Sequence, residues 1–205
     1  MHNGVKICLI ALLAQPSALL AQKFVGRDSI PPLPKPQLLA TEGLFQSTFA
    51  KVGDDMYIAG QPTERALRQM KAEGVTTVIN LRMPQEMSAI GFDEEKLIRE
   101  LGMNYVYIPM RGGVGEMSYS PQTLDRFAAA MKAANGKVLL HCTIAWRASH
   151  IWAAYLIKRG VEDEKAVVHA RAINLMDDHR MDDSGRQPLE MFLGRKVNGL
   201  GGGQH

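Results

Sequence analysis

Between residues 50 and 175 the chain alternates short apolar runs with amphipathic stretches of helical length, and this constrains its fold more than any other feature. Met56–Ala59 reads as a short strand. Pro62 and Thr63 open a helix that Gly74 stops. Val75–Leu81 is β-branched and almost continuously apolar, the character of a strand buried on both faces. Asp93 is a suitable N-cap for a helix over Glu94–Leu101, and Gly102 ends it. Asn104–Ile108 is the next strand, stopped by Pro109. Ser120 and Pro121 begin a helix in which Leu124, Phe127, Ala128 and Met131 recur at i, i+3, i+4, i+7, and Asn135-Gly136 closes it. Lys137–His141 is a strand, Ala148–Lys158 a helix closed by Gly160, and Glu162–Leu175 a further helix. Strands separated by helices imply crossover connections and an α/β fold, with a mainly parallel central sheet flanked by helices.

The rest of the sequence narrows the class. A length of 205 residues suits one domain with extensions. Two cysteines exclude a disulfide scaffold, and a net charge of +3 without a dense basic run gives no footprint for nucleic acid. Beyond the first 21 residues no apolar stretch approaches the ~20 residues of a membrane span, so no stable membrane insertion is expected once that segment is removed. Residues 1–21 have the layout of a secretory signal peptide: Lys6, an apolar core over Ile7–Ala14, then small residues up to Ala21. The expected location is periplasmic or secreted, and cytoplasmic if the segment is retained. Its removal takes Cys8 and leaves Cys142 as a lone thiol. Pro31, Pro32, Pro34 and Pro36 favour an extended N-terminal linker over residues 22–48. The folded domain is expected over 49–195, with a flexible tail over 196–205.

The chemistry concentrates where the strand ending at His141 meets the next helix. Cys142 follows directly, and Arg147 stands five places on. In an open parallel sheet, ligands bind beyond the carboxyl ends of the strands. A loop there that leads into a helix aims several backbone N–H groups at one spot, aided by the helix dipole. Such a spot suits phosphate or sulfate and favours the nucleophilic thiolate of Cys142. Arg147 offers a planar, bidentate clamp that also stabilises charge in the transition state. Thr143, Ile144, Ala145 and Trp146 complete the expected anion-binding loop.

His141-Cys142 with Arg147 resembles the signature of the cysteine-dependent tyrosine and dual-specificity phosphatases. Upstream come Tyr57–Thr63 with Gln61-Pro62, then Gly74–Arg82 with Asn80-Leu81-Arg82, then Tyr107–Pro109. The ordered set resembles a small bacterial phosphatase-like family related to the beta-lactamase-hydrolase-like phosphatases, over about residues 45–160. The resemblance implies the phosphatase α/β domain, Cys142 as a nucleophile that forms a phosphocysteine, Arg147 as phosphate clamp, and no cofactor. The substrate would be a phosphorylated small molecule or protein.

Three features depart from the common phosphatase pattern. Four residues rather than five separate Cys142 from Arg147, a spacing also found in rhodanese-like sulfurtransferases. Ala145 occupies a position usually held by Gly; a positive φ there would strain the loop by about 1 kcal/mol or more. Ala148, followed by Ser149, replaces the usual hydroxyl residue after the Arg. Trp146 is bulky and could line the mouth or pack beneath the loop. The general acid is also unusual, since no Asp occurs between Asp93 and Asp125. Glu116 is the carboxylate of the loop after Pro109 and is the candidate acid. Arg82 and Arg111 could enlarge a positive cleft. Asp177, Asp178 and His179 with Asp182 and Asp183 read as a solvated acidic turn, His150 and His169 as locally bonded, and no metal site is expected. A sulfurtransferase or a catalytically weak phosphate-binding module remains an alternative.

Overall fold

The structure is a computed structural model that describes residues 32–176 and 182–201. Its elements run β1 (Pro36–Leu38), β2 (Phe49–Val52), β3 (Met56–Ala59), α1 (Glu64–Ala72), β4 (Val75–Asn80), α2 (Pro84–Met87), α3 (Glu94–Glu100), β5 (Asn104–Tyr107), α4 (Pro121–Ala133), β6 (Lys137–His141), α5 (Trp146–Lys158), α6 (Asp163–Arg171) and α7 (Pro188–Leu193). They build one sheet in the order β1-β2-β3-β6-β4-β5. The pairs β3–β6, β6–β4 and β4–β5 are parallel, and β1–β2 and β2–β3 are antiparallel. The mainly parallel sheet expected from the alternation is therefore present, with an antiparallel edge added.

Strand side chains alternate between two cores, as the period of two requires. Ile58, Ile79, Val138 and Leu140 share one core with Phe127, Ile151, Val167 and Phe192 of α4, α5, α6 and α7. Tyr57, Ala59, Val78 and Leu139 share the other with Leu67 and Met70 of α1 and Leu97 and Ile98 of α3. Helix α5 is buried over most of its circumference, the mark of a central helix. The expected caps form: Thr63 accepts from Ala66 N–H, Asp93 from Lys96 N–H and Ser120 from Thr123 N–H.

Several boundaries differ from the sequence reading. Within the stretch expected to be linker, Pro36–Leu38 pairs with β2, Leu44 and Phe45 are buried, and Phe45 stacks on Phe49 with centroids 4.2 Å apart. Proline lowers helix propensity without excluding an edge strand, where a missing N–H costs little. His169 Nε2 also lies 2.9 Å from the Pro34 carbonyl. Within the expected tail, Val197 is buried and Arg171 donates to the Gly199 carbonyl at 2.8 Å. Helix α5 starts two residues before Ala148, because Ala145 takes the left-handed N-cap conformation. Helix α6 stops at Arg171, where turn hydrogen bonds from Ile173, Asn174 and Leu175 converge on the Ala170 carbonyl. The proposed signal segment, Cys8 and Asp177–His179 lie outside the described residues.

Candidate active site

Strand β6 delivers Cys142 to the carboxyl edge of the sheet between β3 and β4. Its N–H donates to the Ala59 carbonyl at 3.3 Å, and the residue is 1% exposed. From there the chain turns through Thr143, Ile144 and Ala145 into α5. The loop carbonyls are held from outside. Gln61 N–H donates to Thr143 O at 2.9 Å, Asn174 Nδ2 donates to Ile144 O, and Ser149 N–H donates to Ala145 O at 2.9 Å. Among the described residues, the N–H groups of Thr143, Ile144 and Arg147 meet no hydrogen-bond acceptor. Ala145 has φ +66° and the following residue begins the helix, a left-handed-then-helical backbone of the kind that forms concavities suited to anions. Gly60 makes this packing possible: a Cβ there would sit 1.7 Å from Gln46 O and 2.8 Å from Thr143 O.

Arg147 is fixed at the closing end of the loop. Its Nη1 donates to Glu86 Oε2 at 2.7 Å, to Met110 O at 3.1 Å and to Leu81 O at 3.3 Å. Its Nη2 donates to Glu86 Oε1 at 2.7 Å and to Thr143 Oγ1 at 3.0 Å. The Thr143 hydroxyl in turn donates to Glu86 Oε1 at 2.8 Å, and Met83 N–H to Glu86 Oε2 at 2.7 Å. Partial burial pushes the Glu86 carboxyl up, but these donors outweigh it and bring its pKa down to about 2. Both Glu86 oxygens are thus held by the guanidinium fork, and the carboxylate is ionised throughout the physiological range.

A second carboxylate lies beneath the loop with its side chain fully buried. Glu94 accepts from Gln61 Nε2 at 2.6 Å and from Asn80 Nδ2 at 2.8 Å, and lies 3.1 Å from His141 Nε2. Burial raises its pKa, but His141, Gln61 and Arg82 together hold it below the usual carboxylate range. Arg82 Nη1 donates to Gln61 Oε1, and Arg82 Nη2 to the Glu86 carbonyl at 2.9 Å. Arg82 is thus a buried strut and does not widen the cleft.

The structure brings Cys142, Thr143, Ile144, Ala145, Trp146 and Arg147 together as one loop. Trp146 is buried in the core: the residue is 4% exposed, and its ring centroid lies 6.3 Å from that of Tyr119 and 4.1 Å from that of His150. Ser149 Oγ donates to the Ala145 carbonyl at 2.9 Å, the back-bond of a helical serine. Ala145 carries the left-handed φ that the sequence reading identified as costly. Among the described residues, Glu116 makes no hydrogen bond or ion pair with the loop through its carboxylate. It sits exposed on the turn over 111–118, with its backbone carbonyl bonded by Arg126 at 2.7 Å. Arg111 is exposed on the same turn. Asp182 is tied to Arg186 at 2.7 Å, and among the described residues no cluster suits a metal ion. Sequence reasoning missed Glu86 and Glu94 as site residues. The hint for Glu86 was its place four residues after Asn80-Leu81-Arg82, in the segment that leaves β4 at the same sheet edge.

A parallel-centred sheet with a Cys-to-Arg loop entering a buried helix defines the tyrosine-phosphatase class of fold. Residues 48–157 match the family described as beta-lactamase hydrolase-like protein, phosphatase-like domain, and the chain belongs to that family. Among solved structures, TpbA of P. aeruginosa is similar at 16% identity and TM-score 0.55, over 83% of this chain and 95% of that one. A second TpbA structure, in complex with pTyr, matches at 15% identity and TM-score 0.55, over 84% and 96%. PTPMT1 in complex with PI(5)P matches at 18% identity and TM-score 0.52, over 68% and 88%. A putative phosphatase (DUF442) from Shewanella putrefaciens CN-32 is 31% identical over 60% of this chain and 77% of that one, with TM-score 0.48. No curated protein matches the chain. Among the described residues no helix is long and apolar enough to cross a membrane.

Proposed function

We propose that this chain is a cysteine-dependent phosphatase that hydrolyses phosphate monoesters, with aryl esters of the phosphotyrosine type as its best substrates. The observation that carries this reading is the loop after Cys142: its carbonyls are engaged from outside, while N–H groups of the loop stay without acceptors among the described residues and Arg147 is bonded to the loop through Thr143 Oγ1. The thiolate attacks phosphorus, a P–S bond forms, and the P–O bond to the leaving group breaks. Water then attacks the phosphocysteine, the P–S bond breaks, and phosphate leaves with the thiolate restored. The loop N–H groups and Arg147 bear the charge on the three equatorial oxygens. Glu116 is the acid that the 111–118 turn can supply, giving a proton to the leaving oxygen and taking one from the attacking water. The family match and the pTyr-bound TpbA support a phosphorylated substrate.

One observation favours a weaker module that holds phosphate without fast turnover: Glu86 occupies both terminal nitrogens of Arg147. Both readings, and sulfur transfer, separate in one experiment. The chain lacking residues 1–21 should hydrolyse p-nitrophenyl phosphate, and Cys142→Ser should fall to background with an unchanged circular dichroism spectrum. Phosphate binding with no hydrolysis by the unaltered chain would favour the weaker module. Thiocyanate formed from thiosulfate and cyanide would replace the phosphatase reading altogether. We further propose export, which predicts that protein recovered from its native compartment has the mass of a chain starting near Gln22.

A further inference from the structure

The geometry points to Glu94 as a positioning residue that holds the nucleophile and the phosphate clamp in register through two separate chains of hydrogen bonds. This rests on the phosphatase reading above. The first chain is short. Glu94 Oε1 lies 3.1 Å from His141 Nε2, and His141 immediately precedes Cys142. The imidazole is fully buried, and its Nδ1 has no hydrogen-bond partner among the described residues. Among the described residues, Glu94 is therefore the one side chain hydrogen-bonded to this ring. A carboxylate at Nε2 selects the tautomer with the proton on that nitrogen.

The second chain runs the other way. Gln61 Nε2 donates to Glu94 Oε2 at 2.6 Å, and its Oε1 accepts from Arg82. Arg82 grips the Glu86 carbonyl at 2.9 Å, and Glu86 grips Arg147. The same Gln61 also bonds the loop directly, through its N–H to Thr143 O. Asn80 closes the set from β4, donating to Glu94 Oε1 at 2.8 Å. One carboxylate on the first turn of α3 thus gathers the carboxyl ends of β3, β6 and β4, the three adjacent strands that carry the site.

The groups around Glu94 suit a fixed hydrogen-bond acceptor. His141 comes from β6 and Arg82 follows β4, while Tyr105 on β5 shares Asn80 Nδ2 at 3.0 Å. Asn80 and Gln61 present amide N–H donors to Glu94, so an amide at position 94 would set donor against donor. Glu94→Gln keeps the volume and breaks the acceptor role. A buried carboxylate with three donors is also an ordinary way to tie strands together, so the test needs readouts that a strut would not move.

The test compares Glu94→Gln and His141→Asn, singly and together, with the unaltered protein. Three quantities are read: kcat and KM on p-nitrophenyl phosphate, the pH dependence of Cys142 alkylation by iodoacetamide, and its protection by inorganic phosphate. The expected result is a fall in kcat/KM of about 10²-fold, the cost of a small misplacement at a reacting centre. Alkylation should need higher pH in Glu94→Gln, and phosphate should protect less, because sulfur and clamp are both displaced. The double variant should lose little more than Glu94→Gln alone, since that change already breaks the bond through which His141 is held. Unchanged alkylation and protection, with only a lower melting temperature, would make Glu94 a strut and overturn the proposal. If Glu94→Gln does not fold, His141→Asn cuts one chain alone and must still shift the alkylation profile. Should the unaltered protein hydrolyse nothing, the phosphatase reading fails, and the alkylation and protection comparisons still decide the role of Glu94.

Discussion

Five hydrogen bonds hold the Arg147 guanidinium, from acceptors on four separate segments, whereas the turn over 111–118 meets solvent along most of its length. Both ends of that turn are tied to the site: Met110 O accepts from Arg147, and Tyr119 packs on Trp146. Between them, Gly113 and Gly115 adopt φ of +103° and +102°, and Val114 is fully exposed. The Cys142–Arg147 half is assembled through these hydrogen bonds, and the exposed half over 111–118 is not. On the proposed phosphatase reading, such a protein concentrates its catalysis in electrostatic preorganisation and leaves proton transfer to the exposed turn.

If the comparison is right, damage to the assembled half has the largest consequence. Arg147→Lys keeps a positive charge but loses the planar fork, both toward Glu86 and toward an anion. Turnover of p-nitrophenyl phosphate should fall by about 10²–10³-fold, the cost of losing an aligned oxyanion donor, with the far-ultraviolet circular dichroism unchanged. Unaltered turnover would show that Arg147 serves packing alone.

Next in size is the Glu86 pair, read through stability. The Glu86 carboxyl moves from an ordinary 4.5 to about 2 in the fold. A lowered folded pKa stabilises fully above the unfolded value and is lost as pH falls through the folded one. The contribution should therefore be complete above about pH 4.5 and vanish toward pH 2. With partial exposure weakening the pair, it amounts to roughly 1–3 kcal/mol near neutrality. Urea unfolding of Glu86→Gln against the unaltered chain should show that gap at pH 7 and a narrower one at pH 3. A gap independent of pH would mean that the ionised carboxylate is not what stabilises the loop.

Ala145 tests how much strain the assembled half stores. At φ +66° a Cβ is unfavourable by roughly 1–2 kcal/mol, and glycine gives part of that back as chain entropy on folding. Ala145→Gly should raise stability by about 1 kcal/mol, or a melting temperature by roughly 2–4 °C for a chain of this size, with turnover equal or higher. A loss of stability would indicate that the buried methyl packs better than its backbone suffers.

The two halves also differed in how much of them the sequence revealed. Strand β6, the Cys142–Arg147 loop and the start of α5 are contiguous, so local pattern was enough to place them. The helix from Pro121 was equally plain, because its caps and apolar period agree. Glu86 and Glu94 were not legible as site residues. They meet Arg147 and His141 across 61 and 47 positions of chain, and only the packing of the sheet edge brings them together. The edge strand β1 was hidden by its prolines, and α2, with four residues, is too short to show a period.

The smallest effect should come from the exposed half. An aryl oxide leaves without much help, so Glu116→Gln should change turnover of p-nitrophenyl phosphate by less than about 3-fold. The position of Glu116 supports this: it is exposed, and among the described residues its carboxylate makes no hydrogen bond or ion pair with the Cys142 loop. An alkyl phosphate leaves as a much poorer group, and there a positioned acid contributes ~10²–10⁴-fold. The same substitution should then cost at least ~10²-fold on an alkyl ester and remove the basic limb of its pH profile. Such a split would mean that substrate draws the turn over 111–118 down onto the loop. A silent substitution on both esters would remove Glu116 from the mechanism. Equal rates on aryl and alkyl esters in the unaltered chain, together with that silence, would place the acid elsewhere and end the contrast between an assembled and an unassembled half.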